Sequence, residues 1–66
     1  MFEASAVLTV VLIDSEFLAE LRDLGEDEAV FTQSVAEDLA QDMKGSLVRV
    51  WLDETKSQYM AEIKVV

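Results

Sequence analysis

Hydrophobic and polar positions change period along this chain. From residue 2 to 13 they alternate: Phe2, Ala4, Ala6, Leu8, Val10 and Leu12 fall on one side, and Glu3, Ser5, Val7, Thr9, Val11 and Ile13 on the other. The β-branched run from Val7 to Ile13 makes its second half the firmer part of a strand. Apolar residues on both sides there predict a strand covered on both faces, or one that meets an interface. The period then becomes helical. Phe17, Leu18, Leu21 and Leu24 form a stripe behind Asp14 or Ser15 as N-cap, with Glu16 at the positive end and Gly25 as the stop. A second helix is predicted to start at Glu26-Asp27-Glu28. Its buried stripe is Val35, Ala36, Leu39, Ala40 and Met43, with Phe31 at the edge, and its polar face is Gln33, Ser34, Glu37, Asp38, Gln41 and Lys44. Lys44 and Gly45 supply the C-terminal charge and stop. The alternative is one bent helix running through Gly25.

Residues 46–53 and 58–66 predict a β-hairpin around the four-residue loop Glu54-Thr55-Lys56-Ser57. Placing Trp51 opposite Met60 sets Arg49 against Glu62 and Leu47 against Lys64. The other face then pairs Val48 with Ile63, Val50 with Ala61 and Leu52 with Tyr59, and this apolar face must meet the helices. The expectation is an α+β fold of order β-α-α-β-β: a three-stranded, largely antiparallel sheet with two helices packed on one face. The far face would expose Leu47, Trp51 and Met60, and Val7, Val11 and Ile13 beside them. That is a candidate apolar interface for a homodimer or another partner.

Length and composition narrow the function. The 66 residues are read as a single domain, 1–66, with 52% hydrophobic residues and no cysteine or histidine. A domain this small buries only about 60% of its unfolded surface, and disulfides and Cys/His zinc sites are unavailable to it. A well-packed core and self-association remain. No basic region precedes the apolar stretch Ala6–Ile13, and that stretch is too short to span a bilayer, so a cytoplasmic protein is expected.

Catalysis is not expected. Without cysteine or histidine, nucleophilic chemistry has no usual nucleophile–base pair. No glycine-rich phosphate loop or EF-hand pattern is present, so neither cofactor nor metal is anticipated. The formal charge of −9, from 14 acids and 5 bases, disfavours nucleic acid and anionic membranes as partners and favours basic proteins.

The acids are concentrated. Glu16, Glu20 and Asp23 lie at i, i+4 and i+7 on one side of the first helix, Glu26, Asp27 and Glu28 crowd the junction, and Glu37, Asp38 and Asp42 continue on the second. Four residues of helix separate neighbouring carboxylates by about 6 Å, on the order of the backbone phosphate repeat. These nine are the candidate partner-binding residues. In size, acidity, lack of cysteine and acidic helical segment 16–42, the chain resembles small phage-encoded inhibitors of bacterial defence, including anti-CRISPR proteins, some of which act as DNA mimics. The resemblance implies occupation of a nucleic-acid-binding groove, such as that of a CRISPR surveillance complex, in the cytoplasm of a bacterial host. The alternative function is a structural or regulatory interaction module, homodimeric or antitoxin-like, that uses the apolar sheet face.

Overall fold

The computed structural model describes residues 5–65. The expected strand positions Phe2, Glu3 and Ala4, and the expected last strand residue Val66, lie outside the described residues. The elements are β1 (Ala6–Ile13), α1 (Ser15–Asp23), α2 (Glu28–Asp42), β2 (Ser46–Asp53) and β3 (Gln58–Val65). The three strands form one antiparallel sheet of order β1-β3-β2, which makes the last strand the central one. The fold is α+β, in the expected β-α-α-β-β order.

Local chemistry sets the helix ends. The Asp14 side chain accepts from the Phe17 N–H at 2.8 Å and caps α1. At the other end the Glu26 N–H reaches the Leu21 carbonyl (3.0 Å) and the Gly25 N–H reaches that of Arg22 (3.1 Å). Gly25 takes a φ of +72° in this arrangement, so the chain breaks there and no single bent helix forms. Asp27 caps α2 by accepting from the Val30 N–H at 3.2 Å. The same closing pattern ends α2, with Gly45 N–H to the Ala40 carbonyl (2.9 Å) and Lys44 N–H to that of Gln41 (3.0 Å). Here, however, the left-handed residue is Lys44, at φ 55°. Gly45 has a different duty: a Cβ on it would sit 2.6 Å from the Lys64 carbonyl oxygen. Its missing side chain lets the end of α2 approach β3.

The hairpin keeps the expected pairs Arg49–Glu62, Val50–Ala61, Trp51–Met60 and Leu52–Tyr59. Beyond Arg49 the register shifts. Leu47 lies opposite Ile63 and Ser46 opposite Lys64, leaving Val48 as the extra residue, 52% exposed. The expected pairs Leu47–Lys64 and Val48–Ile63 therefore do not form. A second bulge at Leu12 places Ile13 opposite Tyr59, on the side that meets the helices, where Ile13 is only 1% exposed. Ile13 therefore belongs to the core and not to the far face.

Both helices cover the same side of the sheet. Ile13, Leu18 and Leu21 form a buried cluster, with Leu12, Phe31, Val35, Leu52 and Tyr59 packed against it. Burying each of the three contributes on the order of 1.5–3 kcal/mol. Ala36 and Ala40 of α2 are buried, as are Ala61 and Ile63 at the centre of the sheet. Several expectations for the helices change: α2 begins at Glu28 behind Asp27, and Phe17 of the expected stripe is 40% exposed, its ring edge-on to Phe31. Leu24 is 74% exposed, because α1 has ended before it. Thr32, outside the expected stripe, is fully buried on α2.

Candidate functional site

The acidic helical layer is the first candidate. Of the nine nominated carboxylates, Glu16, Glu20, Asp23, Glu26, Asp27, Glu37, Asp38 and Asp42 are solvent-exposed. None of these eight forms an ion pair among the described residues. Two have local duties: Asp27 caps α2, and Glu37 accepts from the Gln33 side-chain amide at 3.2 Å. These carboxylates are exposed along α1, α2 and the connection between them. Within segment 16–42 the single base is Arg22.

Glu28 stands apart from the other eight. Its carboxylate takes a bidentate contact from Arg22, Nε to Oε1 at 2.8 Å and Nη2 to Oε2 at 3.0 Å, and a third hydrogen bond from the Tyr59 hydroxyl at 2.8 Å. The Arg22 hydrogen bonds, and then that of Tyr59, hold its carboxyl below the usual glutamate range. Burial first, and the Glu28 hydrogen bond second, push the Tyr59 phenol up. This trio ties α1, α2 and β3 together. Glu28 is thus spent on an internal ion pair and is not free to imitate a phosphate. Arg22 is likewise engaged, so the shallow groove of about 590 Å³ beside it, lined by Ser15, Leu18, Ala19, Arg22, Asp23 and Ser57, offers no free cation.

The open sheet face is the second candidate. β-pairing brings Val7, Thr9 and Val11 of β1, Met60, Glu62 and Lys64 of β3, and Arg49 and Trp51 of β2 to the side without helices. Val7 is 55% exposed and Val11 49%. Arg49 lies over the Trp51 ring, its Cζ 4.3 Å from the centroid, and its Nε donates to Glu62 Oε1 at 2.7 Å. Of the expected apolar interface, Trp51 and Met60 are cross-strand neighbours on this face, whereas Leu47 is not there. The Val48 bulge turns Leu47 to the helix side. The bulge was invisible in the sequence because Val48 fits either face of a strand.

Charge separates the two sides. The helical segment from Asp14 to Lys44 holds ten acids and two bases, whereas the open face balances Arg49 and Lys64 against Glu62 and, at the end of β2, Asp53. Among the described residues no group of three or more potential ligands is arranged to hold a metal ion, and no helix is long and apolar enough to cross a membrane. Compared with protein-family models, curated proteins and solved structures, the chain matches none.

Proposed function

We propose that this protein is an acidic binding protein that blocks a nucleic-acid-binding complex by presenting its helical layer in place of DNA. The class of target we favour is a CRISPR surveillance complex in a bacterial cytoplasm, with the protein acting as a phage-encoded inhibitor. The observation behind this reading is the set of eight exposed carboxylates on one layer, none neutralised by a base among the described residues. Like charges at helical spacing destabilise a helix by a few tenths of a kcal/mol per pair. A cationic cleft that evolved to grip phosphates relieves that repulsion on binding and gains charge-assisted hydrogen bonds. No catalytic step is needed for such inhibition.

The test is charge reversal at positions with no structural duty. Glu20, Asp23 and Asp38 are exposed and make no side-chain hydrogen bond among the described residues. Asp27 is unsuitable, because it caps α2 and its loss costs about 1 kcal/mol. The triple variant Glu20→Lys, Asp23→Lys, Asp38→Lys should keep its circular dichroism spectrum and lose inhibition. Full inhibition by a folded triple variant would refute the proposal.

A second reading is favoured by the uncovered sheet face. Trp51, with Arg49 stacked on it, offers the kind of anchor that dominates protein interfaces, and Met60, Val7 and Val11 give it apolar surroundings. In that reading the molecule is a regulatory or structural interaction module. Trp51→Ala should then weaken partner binding more than the acid reversals do, and added salt should leave the complex intact.

A further inference from the structure

We infer that two copies of this chain join through their β1 strands to make one continuous six-stranded antiparallel sheet. The inference is independent of the inhibitor reading and rests on the edge of the sheet.

β1 is an edge strand, hydrogen-bonded to β3 on one side. Its eight residues, Ala-Val-Leu-Thr-Val-Val-Leu-Ile, include no charge. Its pairing with β3 is regular from Ala6 to Val11, and its bulge falls only at Leu12. It is exposed on both flanks, with Val7 (55%) and Val11 (49%) on the open face and Leu8 (39%) on the helix side. Folded proteins blunt such edges with charges, prolines or bulges, because the unpaired N–H and C=O groups invite another strand. The opposite edge has those protections: β2 carries Arg49, a bulge at Val48 and Asp53 at its end. β1 has no comparable guard along its regular stretch.

The uncharged edge permits a second copy, and the strand's own sequence selects it. Each copy carries −9, and the helical layer and the hairpin loop bear most of the acids. The β1 edge is a region where two copies meet without setting carboxylate against carboxylate. The strand is also self-complementary. In a continuous sheet, directly opposite residues must share a face, so the two-fold axis passes through a residue. An axis at Thr9 uses the regular stretch, sets Val7 against Val11 on the open face and Leu8 against Val10 on the other, and pairs Thr9 with its own copy. β-branched pairs and Thr–Thr pairs are favourable cross-strand combinations. Both helical layers then lie on one side of the joined sheet. Their mutual repulsion is long-range and screened by salt, so added salt tightens the dimer. That is the reverse of the salt effect expected for a decoy bound to a basic cleft, so the two ideas can fail separately.

The experiment uses the full chain at about 100 µM, a concentration suited to an interface below the standard size. Sedimentation gives the mass, and amide exchange is followed residue by residue at high and low concentration. The expected result is a dimer in which alternate amides of β1, those pointing away from β3, gain protection as concentration rises. The chain has no cysteine, so Thr9→Cys introduces a single thiol. At the predicted axis the two Cα atoms fall within disulfide range, and mild oxidation should cross-link the variant. A monomer at this concentration overturns the inference, and so does a dimer whose outward β1 amides exchange freely. A dimer protected at those amides but without the Thr9 cross-link overturns the assigned axis.

Discussion

Thr32 gives the sharpest test of the packing under the acidic layer. It sits in α2, fully buried, and its Oγ1 has no hydrogen-bond partner among the described residues. A buried hydroxyl without a partner costs about 1–3 kcal/mol of desolvation. Thr32→Val keeps the shape and removes the oxygen, and valine and threonine have similar helix propensity. The variant should therefore gain about 1–2 kcal/mol. In a domain of this size each kcal/mol moves the melting temperature by roughly 4–8 °C. Thr32→Ser makes the opposite change, keeping the oxygen and deleting a buried methyl, which costs about 1 kcal/mol plus a small cavity. Thr32→Ala does both and should stay within about 1 kcal/mol of the parent protein. Urea unfolding at neutral pH should thus rank Val highest and Ser lowest. If the valine variant is less stable than the parent, the hydroxyl has a partner and the reasoning fails.

Three further outcomes are expected. Gly45→Ala should destabilise by about 1–3 kcal/mol, because its Cβ meets the backbone oxygen of Lys64 in the central strand and not a flexible side-chain tip. Lys44→Gly should be neutral or stabilising by up to about 1 kcal/mol, since Lys44 holds the left-handed conformation; both substitutions can be read by thermal melting. Stability should also depend on pH at both extremes. The Glu28 carboxyl is lowered in the folded state, so its contribution is complete above about pH 4.3, the unfolded value, and is lost as pH falls through the lowered folded value. The Tyr59 phenol is raised, so its contribution is present below about pH 10 and lost as pH rises through the folded value. Tyr59→Phe should abolish the alkaline loss and shrink the acid one in pH-dependent urea unfolding.

Much of the fold was legible because local signals agreed with one another. Asp14, Gly25 and Asp27 each carry a side chain or a freedom suited to a helix end, and each is used there. The hairpin register from Arg49 to Leu52 followed from alternation alone. What escaped the sequence depends on tertiary approach. Glycine at 45 looked like the left-handed stop, yet it serves the close passage of α2 against β3, and Lys44 bears the strain. Two bulges moved Leu47 and Ile13 to the helix side, and neither is marked by a glycine or a proline. Thr32 reads as polar, and the apolar periodicity of α2 does not include it. Of the candidate acids, eight are exposed as anticipated. Glu28 differs because Tyr59, distant in sequence, completes its site together with Arg22.

The role assigned to the helical layer is tested most directly by displacement of labelled duplex DNA from a purified CRISPR surveillance complex, with the parent protein and the Glu20→Lys, Asp23→Lys, Asp38→Lys variant compared at about 0.05 and about 0.3 M salt. The account predicts that the parent displaces DNA at low salt, does so far less well at high salt, and that the folded variant fails at both. Equal displacement by parent and variant, or by the parent at both salt concentrations, would contradict it.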